Sequence, residues 1–297
     1  MSLPPPADLD ATLRRFLAED LGSGDVTAHA FVPAGAPARA TLTAKAPGAL
    51  CGVDLALRIV RLLDPEARLA EAAPDGTRVV PGQAVGTLQG DARALLAAER
   101  TLLNLLQHLS GIATATARYV AAVAGTGAEI LDTRKTVPGL RWFAKRAVAA
   151  GGGVNHRHGL WDQVLLKSNH LAWTRPWPAG RRPLEEAIAT ARRAAPAGMK
   201  LQLEVFDGDE AVRAAEAGAD LVLLDNFTPE QVAAAVARVR SRFPRAQVGL
   251  EASGGLHLGN VRAYAEAGVD RLSIGALTHS APALDLSLVF AGAGLDG

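Results

Sequence analysis

The pattern of hydrophobic positions changes near residue 125. Before that point, residues 39–52 and 77–90 alternate apolar and polar side chains and are interrupted by Gly and Pro, which predicts short antiparallel strands. The segment 75–90 predicts a structural strand–turn–strand hairpin. Two helices are predicted in this part, at 9–20 and at 91–124, the second with a candidate break at Ser110-Gly111.

After residue 125 the chain repeats a short apolar strand, a polar exit and an amphipathic helix. The predicted strands are 129–132, 163–167, 201–205, 221–225, 247–251 and 271–274, and the helices between them include 209–217 and 229–240. Such units predict a parallel sheet covered by helices. No Gly-x-Gly-x-x-Gly follows the first strand, so we expect a closed or nearly closed β/α barrel rather than a dinucleotide-binding fold. Barrel ligands lie at the carboxyl ends of the strands.

Composition narrows the class of protein. The 297 residues can form one large domain or two, and no apolar run is long enough to span a membrane. The net charge of +1 gives no overall field for nucleic acid or membrane. Cys51 is the only cysteine, so no intrachain disulfide forms, as expected in a reducing cytoplasm. The first eight residues predict a short disordered leader rather than a secretory signal.

Charged residues lie at or just after the carboxyl ends of most of the predicted strands. They are Arg134-Lys135, Lys167, Glu204, Asp225 and Glu251. Any one of them has an ordinary explanation as a surface residue or a helix cap. Only five of the 31 basic residues are Lys, so a Lys at a strand end is informative in this chain. Because strand ends of a barrel converge on one mouth, the set predicts a site for anions.

Two glycine-containing loops follow the last two predicted strands. They are Ser253-Gly254-Gly255, before a helix expected to begin near His257 or Leu258, and Gly275-Ala276. Backbone N–H groups exposed in such loops favour phosphate, and the alternative is a pair of simple tight turns.

Three further groups of basic residues have less decisive patterns. His156, Arg157 and His158 follow three glycines and form a flexible cationic segment, whose spacing does not fit zinc. Arg141 and Lys145 are interpreted as structural or peripheral. Arg100 interrupts an apolar helix, where it either belongs to a solvated stripe or points across an interface toward an anion.

Several long motifs in this order resemble the quinolinate phosphoribosyltransferase family, the decarboxylating nicotinate-nucleotide pyrophosphorylases. They are EDLGSGDVT, ERTLLNLLQHLSGIAT, LDTRKTVPGLR, GGGVNHRHGLWDQVLLKSNH, LEVFD, LVLLDNF, LEASGG and SIGALTH. The resemblance covers about residues 10 to 290. It implies an N-terminal α/β sandwich domain, residues 1–112, and an incomplete seven-stranded α/β barrel domain, residues 113–297. It also implies homodimers, or multiples of dimers, with active sites shared between subunits.

The resemblance also implies roles for individual residues. Arg134, His156, Arg157 and Lys167 would bind the two carboxylates of quinolinate, and Arg100 would come from the partner subunit. Lys135, Glu204 and Asp225 would be catalytic and would bind phosphoribosyl pyrophosphate with Mg²⁺, the two carboxylates serving as the metal ligands. Ser253, Gly254, Gly255, Gly275 and Ala276 would hold the 5′-phosphate. Ser168 and His158 depart from the family pattern, and Ser168 removes an acidic neighbour of Lys167.

The chemistry of the residues agrees with this resemblance. Two anionic substrates need many cations, and planar guanidinium groups suit planar carboxylates. Three alternatives remain open. The first is a related transferase acting on another nitrogen base, including the similar proteins found beside molybdate transport genes. The second is a barrel aldolase with Lys167 as its Schiff-base lysine, and the third is a non-catalytic phospholigand-binding protein.

Overall fold

The structure is a computed structural model, and it describes residues 6–172 and 184–291. The first five residues of the predicted leader lie outside this range. The helices are Leu9–Leu21 (α1), Val26–Phe31 (α2), Val53–Arg61 (α3), Ala92–Ala122 (α4), Arg141–Ala150 (α5), Ser168–Ala172 (α6), Leu184–Ala194 (α7), Gly208–Glu216 (α8), Pro229–Arg240 (α9), Val261–Glu266 (α10) and Ala276–His279 (α11). The strands are Pro37–Ala44 (β1), Gly48–Ala49 (β2), Arg68–Ala70 (β3), Arg78–Val79 (β4), Ala84–Asp91 (β5), Glu129–Leu131 (β6), Val164–Leu166 (β7), Leu201–Val205 (β8), Leu221–Asp225 (β9), Gly249–Ser253 (β10), Arg271–Ser273 (β11) and Leu286–Phe290 (β12).

The described chain forms two compact units that alternate along the sequence. The first comprises 6–117, 138–152 and 280–291. The second comprises 118–137, 153–172 and 184–279. The boundary after residue 112 stays a prediction. Among the described residues, no helix is both long and apolar enough to cross a membrane.

The first unit is built on an antiparallel sheet in the order β12-β1-β5-β3. The predicted hairpin over 75–90 is wrong, because β4 pairs with β2 and belongs to another sheet. Strand β5 pairs with β1 on one side and with β3 on the other, so it offers β4 no free edge. The segment therefore crosses from one sheet to another.

Helix α4 is continuous over its 31 residues, so the candidate break at Ser110-Gly111 is wrong. Gly111 has another role in the first unit. A Cβ atom there would overlap the carbonyl oxygen of Pro282 and lie 2.9 Å from Ala283 Cα. The residue therefore permits a close approach of the backbone to the helix rather than a bend.

The second unit contains a parallel six-stranded sheet in the order β6-β11-β10-β9-β8-β7. Its strands are almost wholly buried in the centre, as the apolar runs predict. The other edge of β6 carries an isolated parallel bridge from Leu131 to Val154. The α/β class is confirmed, and the count of seven barrel strands stays a prediction.

Two boundaries differ from the sequence prediction where they affect the cleft. Strand β10 is Gly249–Ser253, because the N–H groups of Gln247 and Val248 bond to Pro244 in a turn. Glu251 therefore lies in mid-strand and is buried. Helix α10 begins at Val261, later than expected, because His257 N–H donates to Asn260 Oδ1, 2.8 Å away.

Candidate active site

A cleft of about 280 Å³ lies where the strands of the second unit end. Its lining is mainly charged and polar. The lining residues are Thr133, Arg134, Lys135, His156, Arg157, Leu165, Lys167, Leu223, Asp225, Glu251, Ser253 and Ser273. The predicted strand-end residues of four different strands are thus brought together at one place, as expected for a barrel.

Two guanidinium groups line this cleft, those of Arg134 and Arg157. Arg134 Nε is buried and has no hydrogen-bond partner within the described part of the chain. Arg157 donates from Nη1 to the carbonyl oxygen of Gln163 at 3.2 Å. Burial, and then the charge of Arg134, lower the pKa of Arg157. A buried donor without a partner is costly, so this pair is suited to an incoming anion.

His156 is held by its neighbours in a single orientation. Its Nδ1 accepts the backbone N–H of Arg157 at 2.7 Å, so the ring proton is on Nε2 when the ring is neutral. Nε2 lies 3.3 Å from Glu251 Oε1. The backbone N–H of His156 donates to Asp132 Oδ1 at 2.8 Å. Sequence reasoning gave Asp132 no role, although its place directly after an apolar strand was a usable signal.

Lys167 and Glu204 form an ion pair between the end of β7 and strand β8. Nζ of Lys167 bonds to Glu204 Oε2, and Glu204 is only 6% exposed. The backbone N–H of Ser168 lies 3.5 Å from Glu204 Oε1. Lys167 is therefore oriented by Glu204 across the sheet. Because the backbone N–H of residue 168 makes this contact with Glu204, the contact does not depend on the side chain at that position, where Ser168 departs from the family pattern.

Asp225 lies at the end of β9 beside this pair. Burial, and then the charge of Glu204, raise the pKa of Asp225. The side-chain amide of Asn226 donates to Asp225 Oδ2 at 2.7 Å. The described residues include no group of three or more His, Cys, Asp or Glu side chains placed to hold a metal by themselves. Glu204 already pairs with Lys167, so these two carboxylates could hold Mg²⁺ only together with ligands supplied by another molecule.

The side chain of Lys135 packs against the loop that follows β11. A Cβ atom on Gly275 would lie 3.0 Å from Lys135 Cδ and 3.1 Å from His279 Nε2. The hydroxyl of Thr278 donates to the carbonyl oxygen of Lys135 at 2.8 Å. The loop at Gly275 thus lies against Lys135. His279 was missed, although it lies on the short helix that begins in this loop.

Ser253 lines the cleft, and Gly254 and Gly255 follow it directly. Both glycines have positive φ, 95° and 63° respectively, which favours glycine. A Cβ atom on Gly254 would overlap the side chain of Asn226, whereas one on Gly255 would meet nothing within 4 Å. This loop therefore leaves backbone open beside Gly255 and packs closely at Gly254.

Arg100 belongs to the first unit, on α4. Its side chain is more than half exposed and pairs with Glu99 at 3.3 Å. It borders a surface cleft of about 490 Å³ that also includes Phe16, Asn104 and His108. Arg100 is thus exposed, and its predicted contact with a partner's substrate stays a prediction.

Comparison with known proteins agrees with the geometry. The family model described as the C-terminal domain of quinolinate phosphoribosyl transferase matches residues 112–289, and that of the N-terminal domain matches residues 25–110. The chain is 45% identical to the carboxylating nicotinate-nucleotide pyrophosphorylase of Mycobacterium leprae, over 93% of this chain and 95% of that protein. It is 39% identical to the human protein of that name, over 96% and 92%.

Solved structures have the same fold. The crystal structure of NadC from Streptococcus pyogenes superposes with a TM-score of 0.88 at 37% identity, covering 98% of this chain and 100% of that one. The nicotinate-nucleotide pyrophosphorylase of Francisella tularensis gives a TM-score of 0.86 at 34% identity, covering 98% of each chain.

Proposed function

Because the chain belongs to the quinolinate phosphoribosyltransferase family, we propose that the cleft of the second unit is where it joins quinolinate to 5-phosphoribosyl 1-pyrophosphate. The products are nicotinate mononucleotide, pyrophosphate and CO₂, in a step of NAD biosynthesis. The enzyme is a pentosyltransferase, as its curated relatives are.

The observation that carries the assignment of the cleft is its pair of guanidinium groups. Arg134 and Arg157 lie close enough for one to lower the pKa of the other, and Arg134 Nε is a buried donor without a partner in the described chain. A dicarboxylate can satisfy both groups through paired hydrogen bonds. Lys167 adds a third cation at the same place, while His156 orients the segment that carries Arg157.

The phosphoribosyl donor would occupy the other side of the cleft. Lys135 would face its pyrophosphate, and the loops of Ser253-Gly254-Gly255 and Gly275-Ala276 would receive its 5′-phosphate through backbone N–H groups. Glu204 and Asp225 would face the ribose. The guanidinium groups would hold quinolinate on one side of the cleft, and Lys135 with the two carboxylates would hold the donor on the other. The reacting atoms of the two substrates would thereby be held in line.

In the reaction, the pyridine nitrogen attacks the anomeric carbon as the bond to pyrophosphate breaks. Glu204 and Asp225 stabilise the positive charge that develops on the ribose, and Lys135 neutralises the departing pyrophosphate. The new bond makes the ring nitrogen cationic. That charge stabilises the carbanion left when the adjacent carboxylate leaves as CO₂, so the protein needs no covalent nucleophile.

We expect Mg²⁺ to accompany the phosphoribosyl donor. When bound, the ion neutralises pyrophosphate charge and so favours its departure. Asp225 and Glu204 are the residues that would face the ion, Asp225 more openly because Glu204 pairs with Lys167. The supporting observation is that Asp225 lies near Glu204 and near two cations, Lys167 and Lys135, that are suited to anionic substrates.

We also propose a homodimer, or multiples of it, in which Arg100 of one subunit reaches the substrate of its partner. The support is the exposure of Arg100 beside an open surface cleft. A cytoplasmic location is proposed from the single unpaired cysteine.

The decisive assay supplies purified protein with Mg²⁺, quinolinate and phosphoribosyl pyrophosphate. We expect release of CO₂ and formation of nicotinate mononucleotide. Turnover of another nitrogen base without turnover of quinolinate would overturn the proposal in favour of a related transferase. Binding of both substrates without product would favour the phospholigand-binding protein, and a borohydride-trapped adduct at Lys167 would favour the aldolase.

The shared site has its own test. Arg100→Ala and Lys135→Ala proteins, each weak alone, are mixed under conditions that exchange subunits. Hybrid dimers with one intact site should recover part of the activity. No recovery, despite exchange verified by differently tagged subunits, would exclude the shared site.

A further inference from the structure

We propose that Asn226 is a positioning residue that fixes which oxygen of Asp225 faces the phosphoribosyl donor and ties that carboxylate to the Gly254 loop. The inference rests on the proposed function, because it gives Asp225 its ligand. It concerns a residue to which the sequence assigned no role.

The backbone of Asn226 is the first observation. Its φ is +59°, a left-handed value shared among the described non-glycine residues only with Glu71. Asn is one of the few residues that tolerate this region. The backbone N–H of Asn226 donates to the carbonyl oxygen of Ser253 at 2.8 Å. The strained turn is thus anchored to the end of β10.

The side chain of Asn226 is the second observation. Its Nδ2 donates to Asp225 Oδ2 at 2.7 Å. The remaining oxygen of Asp225, Oδ1, is therefore the one left to face the cleft. A free carboxylate could rotate and exchange its oxygens, whereas this contact favours a single orientation.

Gly254 is the third observation. A Cβ atom there would overlap Asn226 Oδ1 and would lie 2.7 Å from Asn226 Cγ and 2.9 Å from Asn226 N. Gly254 therefore leaves the space in which the amide of Asn226 lies. The carboxylate proposed for the ribose and the loop proposed for the 5′-phosphate are connected through one side chain.

Two substitutions separate the amide from the backbone. Asn226→Gly accepts the positive φ but has no amide, and Asn226→Asp also tolerates this φ but has only acceptor oxygens. Both should raise KM for phosphoribosyl pyrophosphate by roughly tenfold or more, the size expected for one hydrogen bond to a charged group. KM for quinolinate should change little. Glu71→Gly, at the other positive φ and far along the chain, is the control and should behave as wild type.

The split between the two KM values is the readout that a merely structural residue would not give, because a general loss of folding would not raise KM for phosphoribosyl pyrophosphate alone.

The outcomes distinguish this inference from the proposed function. If the wild-type protein makes no product from quinolinate, the proposed function fails. If wild type is active and Asp225→Ala is not, but either Asn226 variant keeps the wild-type KM for phosphoribosyl pyrophosphate, the inference alone fails. A parallel loss of kcat and thermal stability, with both KM values unchanged, would also overturn it.

Discussion

Lys167 Nζ bonds to the carboxylate of Glu204, so a cation proposed for quinolinate and an anion proposed for the ribose orient each other across neighbouring strands. We expect Lys167→Met and Glu204→Gln each to lower kcat/KM by roughly 10- to 100-fold, the range for hydrogen bonds to charged groups. Because the residues touch, the double variant should lose less than the product of the two effects, with a coupling of about 0.5 kcal/mol or more. Strict additivity in steady-state kinetics would show that the pair does not act as a unit.

The planar geometry of the guanidinium groups gives the second prediction. Arg134→Lys and Arg157→Lys keep the charge but lose paired hydrogen bonds, so each should raise KM for quinolinate by about tenfold or more. KM for phosphoribosyl pyrophosphate should stay near wild type. Arg262→Lys, at an exposed ion pair with Glu266, is a matched control. If KM for the donor rises instead, the guanidinium groups serve the other substrate.

The pKa of Asp225 yields a prediction about stability. Burial and Glu204 raise this pKa, so the folded protein holds the proton more tightly than the unfolded chain does. Ionising Asp225 therefore costs stability as the pH rises above the ordinary carboxyl value of 3.8. Asp225→Asn should lose activity but raise the thermal midpoint relative to wild type at neutral pH.

Thermal unfolding between pH 4 and 8 checks the sign of this effect. The difference between Asp225→Asn and wild type should grow as the pH rises and shrink toward acid. A variant that is less stable than wild type at every pH would contradict the prediction.

The two glycines after Ser253 provide a fourth comparison. Both have positive φ, so alanine costs on the order of 1 kcal/mol at either position. Only Gly254→Ala also collides with Asn226, so it should lower the thermal midpoint further than Gly255→Ala does. Adding Asn226→Gly should recover part of the loss, because the side-chain overlap is then gone. Equal midpoints for the two single variants would contradict the close packing.

The sequence predicts the positions of the strand-end residues well. Apolar runs and helical periodicity locate the ends of β8 and β9 without knowledge of pairing, so Glu204 and Asp225 are found directly. The parallel sheet then follows from the repeated unit, and with it the convergence of Arg134, Lys167 and Asp225 on one cleft.

Features that depend on distant partners could not be predicted in this way. The assignment of β4 to another sheet depends on which edges of β5 are already paired. The close packing against α4 at Gly111 involves Pro282, far along the chain. The positive φ of Asn226 and the orientation of the His156 ring likewise arise from contacts in the assembled site. No local pattern of apolar and polar residues predicts either of them.

The pairing of β1 with β12 has a consequence for how the chain folds during synthesis. Leu42 lies opposite Leu288, so β1 cannot complete its pairing on that side until β12 has been synthesised. Closing so long a loop carries an entropy cost before the contact forms, which slows folding. Until β12 is made, a growing chain exposes an unpaired edge of β1, the kind of edge at which aggregation begins.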